Sequence, residues 1–411
     1  MSNEPEIGEG RICGVNRNVF FLSITSFFQD ISGEMVFTIM PFFLANVLGV
    51  STAVIGVIEG ISESTSTLLK LAGGWLSDRL GQRKNLTALG YGLSTAAKPF
   101  MYFANAWGLV LAVRFVDRVG KGIRTSPRDA LLADCCAETE RGKSFGFHRA
   151  LDTLGAFVGL SATAAIVYLL QQGDLKLELA TYQVLVLVGL VPGVLAVVSV
   201  LVFVKDVRVC PPCAPGDTQK SDAAAATPGA AVFDRRFVVF LVTMLLFTLG
   251  NSSDAFLLLR AQNLGLSVLE AMLLMVAFNL VYALISTPAG ILSDKVGRKG
   301  VIATGWCIYA LVYLGFAVAS APWHVWLLFA TYGIYYGMTE GVAKALVADV
   351  VPPDRRGTSY GIYNAAVGAT ALPASIIAGW LWQTVSPAAP FYFGAILAGG
   401  ATVALISLVR R

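Results

Sequence analysis

The chain of 411 residues is strongly apolar, because 56% of its residues are hydrophobic and only 14% are charged. A soluble domain carries about 25% charged residues, so this composition excludes an ordinary soluble enzyme and a disordered chain. The formal net charge is +4, and six cysteines are too few for a disulfide scaffold.

Twelve long apolar segments follow one another along the chain. Each has about 20 residues or more, which at 1.5 Å per residue crosses a hydrocarbon core of ~30 Å. We predict that all twelve are helices, because backbone groups in lipid must be paired within the segment. The predicted spans 1 to 12 are Val19–Asn46, Ala53–Leu76, Leu86–Asn105, Trp107–Ala130, Phe145–Leu170, Tyr182–Val204, Phe237–Gln262, Val268–Leu292, Val301–Ser320, Val325–Val350, Gly361–Thr384 and Phe391–Val409.

Basic residues are distributed unevenly between the gaps that separate the spans. They cluster at both termini and in the gaps after even-numbered spans, whereas the gaps after odd-numbered spans hold only Lys176. Since cytoplasmic loops carry the excess of Lys and Arg, we predict a multi-pass protein of the inner (plasma) membrane with both termini in the cytoplasm. This asymmetry explains the basic charge without nucleic acid as a partner.

The chain divides into two similar parts. Residues 205–236 interrupt the apolar pattern with Pro, Ala, Gly and charged residues, which is typical of a flexible linker. Leu76–Gly81 and Arg141–Gly146 recur in the same order as Leu292–Gly297 and Arg356–Gly361. We therefore predict a cytoplasmic tail at 1–17, a six-helix half at 18–204, a cytoplasmic linker at 205–236 and a second six-helix half at 237–409.

One loop motif occurs at the corresponding place in each half. It reads Gly74-x-x-x-Asp78-Arg79-x-Gly81-Gln82-Arg83-Lys84 and then Gly290-x-x-x-Asp294-Lys295-x-Gly297-Arg298-Lys299. The motif resembles the G-x-x-x-D-R/K-x-G-R-R/K loop of the major facilitator superfamily. The stretches Asp117–Asp129 and Asp30–Met35 resemble a bacterial twelve-span branch of that superfamily. The resemblance covers all but the termini and the linker. It implies an all-α membrane fold of twelve transmembrane helices, in two six-helix halves around a central cavity.

The residues of the motif suggest a gating role. Gly81 and Gly297 permit a tight turn, and Asp78 and Asp294 can face a helix N-terminus across the interface of the halves. The resemblance implies that the loop is a latch that favours one face of an alternating cycle. The candidate gating residues are Gly74, Asp78, Arg79, Gly81, Arg83, Lys84, Gly290, Asp294, Lys295, Gly297, Arg298 and Lys299.

Charged residues inside a membrane span are costly, so each is a functional candidate. Many of them recur at helical spacings that place them on a shared face. The candidates for substrate binding and proton coupling are Asp30, Glu34, Glu59, Glu63, Lys70, Arg114, Asp117, Arg118, Arg149, Asp152, Asp254, Glu340 and Lys344, joined by Tyr360, Tyr363 and Asn364 of span 11.

A structural role stays open for each of these residues. Acids and bases are nearly balanced, so they can pair and hold helices together, above all Glu340 with Lys344 at i, i+4. The charges of span 2 have no counterparts in the second half, which favours a function for part of the set. In span 5, Gly155-x-x-x-Gly159 lacks the proline of the family's antiporter motif, and we interpret it as close helix packing.

We predict a secondary active transporter rather than an enzyme, which moves a small solute by alternating access and exports it in exchange for protons. Buried carboxylates can bind and release a proton, and Asp30 and Glu34 rank ahead of Glu59 and Glu63 because they lie mid-span. One alternative is uptake or export of a polar or anionic metabolite or siderophore bound by the arginines. Another is a membrane receptor that transports nothing.

Further expectations concern the partners. We expect no cofactor and no bound metal, because the proton gradient supplies the energy. The expected partners are the lipid bilayer and a small-molecule substrate, without nucleic acid, and the functional unit is expected to be a monomer.

Overall fold

The computed structural model describes residues 10–50, 52–171, 177–206, 235–251, 254–266 and 268–408. Apart from a short antiparallel hairpin, Arg11–Ile12 with Val15–Asn16, the regular structure in these ranges is helical. Spans 1 to 6 are Arg17–Phe37, Thr52–Leu80, Arg83–Ala97, Trp107–Asp134, Arg141–Gln171 and Leu179–Phe203. Spans 7 to 12 are Arg235–Gly250 with Ala255–Asn263, Val268–Val296, Arg298–Val318, Pro322–Val350, Arg356–Thr384 and Ala389–Leu408.

Short helical turns extend or precede some of the spans. Span 1 continues through Met40–Phe42 and a π-helical turn at Phe43–Val47, and span 3 ends in the 3₁₀ turn Lys98–Phe103. Further 3₁₀ turns at Glu138–Glu140 and Pro353–Arg355 lead into spans 5 and 11.

The predicted all-α fold with twelve spans is confirmed, although the extent of several helices differs from the prediction. Spans 5 and 11 begin at Arg141 and Arg356, several residues before the predicted Phe145 and Gly361. Their first turns are polar and so escape an apolar pattern. Span 7 was predicted as one helix, but it consists of two, which end at Gly250 and begin again at Ala255.

Length and composition show which helices can cross a membrane on their own. Over the described residues, six helices are long and apolar enough to do so, namely spans 5, 6, 8, 9, 11 and 12. Span 6 exposes one stripe of apolar side chains, which includes Leu187, Val191, Val194, Val198 and Leu201. The stripe follows helical spacing, so this face is suited to lipid. Spans 1, 2 and 4 carry the charges that form the site below.

The spans form two bundles of six. In the first, span 1 packs against spans 5 and 6, and span 4 against spans 2 and 3. In the second, span 10 packs against spans 8 and 9, and span 12 against spans 7 and 9. The halves meet along two equivalent interfaces, span 5 with span 8 and span 11 with span 2. The predicted pair of six-helix halves is therefore confirmed.

The segments outside the two bundles are only partly described. Of the predicted linker at 205–236, residues 207–234 lie outside the described residues, and so do residues 1–9 of the predicted tail. The exact domain boundaries stay predictions. In span 5, Gly155 and Gly159 lie against the backbone of Phe27 and Ile31 in span 1. The interpretation of this pair as close helix packing is therefore confirmed.

Candidate functional site

The end of the bundle that carries both loop motifs, here named the motif end, is closed by two equivalent contacts. The Asp78 carboxylate accepts hydrogen bonds from the backbone N–H groups of Gly357 (2.9 Å) and Thr358 (2.6 Å), in the first turn of span 11. The Asp294 carboxylate makes the same contact with the first turn of span 5, at 2.9 and 2.7 Å. Each carboxylate satisfies N–H groups that a helix start leaves unpaired, and its charge complements the helix dipole.

A third carboxylate joins the halves at the motif end. Asp134, the last residue of span 4, binds Arg83 of its own half and Arg356 at the start of span 11 (2.6 Å). All three side chains are buried. The corresponding set in the other half is Asp349 with Arg298 at 3.1 Å and Arg141 at 2.7 Å. The motif end therefore has two pseudo-symmetric clusters, each with one carboxylate between two arginines.

The glycines of the motif allow the backbones of the two halves to come into close contact. A Cβ added at Gly74 would collide with the carbonyl of Gly357, and one added at Gly290 with the carbonyl of Gly142. Gly81 follows span 2 with φ +63°, in the left-handed region that favours glycine.

Four basic residues of the motif do not reach across the interface. Lys84 and Lys299 bind backbone carbonyls of their own halves, at Leu201 and Ile406. The Arg79 guanidinium lies 5.2 Å from the Trp75 ring on the same helix, and Lys295 is exposed. The motif residues that contact the other half are therefore the two aspartates and two arginines. Arg83 donates to the Pro353 carbonyl at 2.6 Å, and Arg298 donates to the Glu138 carbonyl at 2.9 Å.

A cavity of about 220 Å³ lies in the first half, where spans 1 and 4 face each other. Its charged lining residues are Asp30, Glu34, Asp117, Arg114, Arg118, Lys121 and Arg124. Five of the sequence-predicted candidates thus meet in one polar cavity, in which four bases face three acids.

Residues of span 2 border this charged region. Glu63 forms an ion pair with Arg118 at 3.5 Å, although its own side chain is more than half exposed. Lys70 lies near Glu63 and near the charges of Asp129 and Lys344. The side chain of Glu59 falls outside the described part of the chain.

The Arg114 side chain is buried, and its guanidinium carbon lies 4.6 Å from the centre of the Phe37 ring. A planar guanidinium stacked on a ring keeps its N–H groups at the edge, where they can bind a carboxylate or a phosphate. We expect Arg114 to contact the substrate in the loaded state, in addition to its contacts within the protein.

Arg114→Lys is expected to weaken binding of a transported solute about tenfold, because an ammonium group lacks the planar fork. Binding is measured on purified protein across a pH series. Arg355→Lys is the matched control, since Arg355 is exposed and lies outside the cavity. Unaltered affinity together with unaltered pH dependence would leave Arg114 with a structural role alone.

Asp30 also contacts a second acid. Its carboxyl group is in hydrogen-bonding contact with that of Asp152 in span 5. Two carboxyl groups can share a hydrogen bond only when one of them carries a proton, because an ionised carboxylate has no donor. Asp152 also binds Arg149 at 2.6 Å and lies 3.9 Å from Arg128.

Two ion pairs connect the halves deeper in the bundle. Arg149 of span 5 binds both Glu340 of span 10 and the hydroxyl group of Tyr282. Lys344, one turn along span 10, binds the fully buried Asp129 of span 4 at 2.8 Å. Among the described residues, Glu340 and Lys344 therefore each pair with a residue of the other half rather than with each other. Each of these ion pairs joins a residue of one half to a residue of the other, so it stabilises the interface between the halves. A pair within span 10 would not do so.

The remaining candidates of the second half lie apart from the charged cavity. Asp254 accepts a hydrogen bond from the Tyr332 hydroxyl at 2.8 Å. Tyr360 is buried and donates to the Lys344 carbonyl at 2.8 Å, while Tyr363 stacks on Phe240. Asn364 donates to the Tyr360 carbonyl at 2.8 Å. The three span 11 side chains are thus engaged in helix packing in this conformation.

Sequence reasoning missed several residues of the site. Lys98 is fully buried and donates to the Ser32 hydroxyl at 2.7 Å. A lysine inside an apolar segment was the signal that could have revealed it. Asp134 and Asp349 were missed as well, although an acid that recurs shortly before a recurring arginine indicates a repeated ion pair.

Comparisons with known proteins agree with this architecture. The sequence profile of the Major Facilitator Superfamily matches residues 22–259 and 239–411. The chain is 35% identical over 390 residues to an uncharacterised MFS-type transporter of Methanocaldococcus jannaschii, which covers 93% of each chain. It is also 29% identical over 149 residues to the quinolone resistance protein NorA of Staphylococcus aureus, which covers 36% of this chain and 38% of that protein.

Solved transporters share the fold. The human organic anion transporter MFSD10 superposes with a TM-score of 0.75 at 15% identity, covering 95% of this chain and 99% of that one. The proton:xylose symporter XylE superposes with a TM-score of 0.72 at 15% identity, covering 96% of each chain. Motif, fold and sequence similarity agree, and the chain belongs to the major facilitator superfamily of membrane transporters.

Proposed function

We propose that this transporter is proton-coupled and exports a small solute in exchange for protons. The observation that carries the proposal is the contact between the Asp30 and Asp152 carboxyl groups at the charged cavity. This pair offers a site for one proton between spans 1 and 5. Loss of that proton leaves two negative charges side by side, which is unfavourable unless a cation moves closer.

Arg149 provides the link between this proton and the movement of the halves. It is shared between Asp152 of its own half and Glu340 of the other half. When the acid pair loses its proton, the added negative charge draws Arg149 towards Asp152 and weakens its bond to Glu340. Proton release then loosens the contact between spans 5 and 10, and proton binding restores it.

We also propose that the motif end faces the cytoplasm and that the protein resides in the inner (plasma) membrane. The loops at this end carry Arg83, Lys84, Arg298 and Lys299, and cytoplasmic loops are enriched in basic residues. Because the motif end is closed, the described conformation then faces outward.

Export is favoured by similarity to a protein named for quinolone resistance, although that match spans about a third of the chain. A second candidate is transport of an anionic metabolite, supported by the four bases against three acids in the cavity wall. The fold is shared with a proton symporter as well, so the transport assay imposes the pH gradient in both directions.

Asp30→Asn is expected to abolish solute accumulation driven by a pH gradient and to preserve exchange of solute for solute. The full chain is reconstituted in proteoliposomes and tested with a chemically diverse panel of solutes, with the pH gradient imposed in either direction. Glu34→Gln, which changes the second acid of the cavity, is expected to have a smaller effect.

Asp354→Asn is the control, because Asp354 is an exposed acid outside the cavity, next to its partner Arg355. Full gradient-driven transport by the Asp30 variant would remove the proton site from the proposal. A solute that accumulates without any pH dependence in the unmodified protein would rule out proton coupling.

A further inference from the structure

We propose that the second half carries a subsite for an ammonium group, so that the transported solute is an organic amine. The subsite is formed by Asp254, Asn251 and the aromatic rings of Tyr332, Tyr335 and Tyr336. This proposal rests on the proposed function and specifies the chemical class of the transported solute.

The first observation is a carboxylate without a counter-ion. Asp254 accepts a hydrogen bond from Tyr332, but in the part of the chain that the structure describes it forms no ion pair. The charged side chain that acts on it is Glu340, which has the same sign and is engaged by Arg149. A negative charge within a membrane protein that has no cation nearby is costly. A positively charged ligand would remove that cost.

The second observation concerns the backbone of span 7. The first helix of this span ends at Gly250 and the second begins at Ala255, so Asn251 and Asp254 lie between the two helices. Transporters commonly form substrate sites where a membrane helix is interrupted, because polar groups then become available within the membrane.

The third observation is an unused hydrogen-bond acceptor. The side-chain oxygen of Asn251 is buried and has no hydrogen-bond partner among the residues that the structure describes, while its amide nitrogen donates to the Tyr335 hydroxyl at 3.5 Å. A buried acceptor without a donor is unfavourable, because it has lost its bonds to water and gained none in the protein. Beside an unpaired carboxylate, it calls for a ligand that is both a donor and a cation, which describes an ammonium group.

Aromatic rings complete the subsite. The Tyr336 ring lies 5.1 Å from Tyr332 and 4.9 Å from Tyr335, with interplanar angles of 81° and 67°. Rings that meet at steep angles form a corner, and their faces attract cations. Tyr336 and Asp254 both keep part of their surface accessible. A divalent metal ion fits less well, because it requires more oxygen ligands than one carboxylate and one amide supply.

The test compares two probes of nearly equal shape, benzylamine and benzyl alcohol, of which only the amine is charged at neutral pH. Their binding to the full-length protein in lipid nanodiscs is measured by calorimetry. We expect benzylamine to bind at least tenfold more tightly than benzyl alcohol. Asp254→Asn is expected to remove this preference, and Asp354→Asn is expected to keep it.

Variants at Tyr336 test the role of the ring. Tyr336→Phe keeps an aromatic face and is expected to retain the preference for the amine, whereas Tyr336→Leu is expected to reduce it several-fold. Each variant is first checked for a monodisperse elution profile and an unchanged unfolding temperature. Equal binding of the two probes to the unmodified protein would overturn the subsite, as would an undiminished preference in a folded Asp254→Asn protein.

The outcome is independent of proton coupling. Amine preference without gradient-driven transport would reject the proposed function and keep the subsite. Gradient-driven transport without amine preference would reject the subsite alone. If Asp254→Asn abolishes gradient-driven transport and the unmodified protein shows no amine preference, Asp254 binds a proton and the subsite is rejected.

Discussion

Asp78→Asn and Asp294→Asn are each expected to shift the transporter away from the conformation closed at the motif end. Each carboxylate accepts two backbone N–H bonds from the first turn of a helix in the other half. Hydrogen bonds to a charged group contribute about 1.5–3 kcal/mol each. Asparagine keeps one acceptor and loses the charge that complements the helix dipole, so the population of the closed state is expected to fall about tenfold or more.

The shift is measured by labelling a cysteine placed at Ser286 in a background without reactive native cysteines. Ser286 is buried, and its carbonyl lies against Gly146 at the interface of spans 8 and 5. Faster labelling by a membrane-impermeant thiol reagent from the motif end is expected in both variants, with the double variant showing the largest rate.

Asp354→Asn again serves as the control, since Asp354 is exposed and bonds to its sequence neighbour Arg355. We expect labelling and transport in this variant to match those of the unmodified protein. Unchanged labelling and intact transport in the Asp78 and Asp294 variants would contradict the latch.

Features that are encoded by residues close together in the chain could be predicted from the sequence. The duplicated motif and the apolar periodicity are local, so the twelve spans, the two halves and the position of Asp78 at a span end could all be predicted. The polar starts of spans 5 and 11 could not, because those turns are stabilised by carboxylates of the other half rather than by their own apolar residues.

Pairing between charges was the part that sequence could not resolve. Helical spacing shows that Glu340 and Lys344 share a face, but it does not show that Arg149 and Asp129 of the other half lie opposite them. The contact of Asp30 with Asp152 likewise depends on how span 1 packs against span 5. The charged residues of the cavity could be predicted one by one, because a charged side chain inside a membrane span is costly whatever its partner. Their partners required the fold.

The two arginine clusters at the motif end are related by pseudo-symmetry but differ in burial, and this difference predicts unequal effects. The Asp134 side chain is 4% exposed, and its partners Arg83 and Arg356 are buried as well. The Asp349 side chain is 26% exposed, so water can replace part of its hydrogen bonding to the two arginines. Removing one partner from a buried ion pair costs about 3–5 kcal/mol, whereas partly exposed pairs contribute about 1 kcal/mol or less.

Asp134→Asn is therefore expected to lower the unfolding temperature of the purified protein clearly more than Asp349→Asn does. In the first variant Arg356 loses this carboxylate partner, and of its two carboxylate contacts Arg83 keeps the longer one, to Asp78 at 3.4 Å. In the second, Arg298 still binds Asp294. Thermal unfolding in one detergent, with Asp354→Asn as the exposed control, measures the difference. Equal losses in the two variants, or a larger loss for Asp349→Asn, would show that burial does not determine the strength of these clusters.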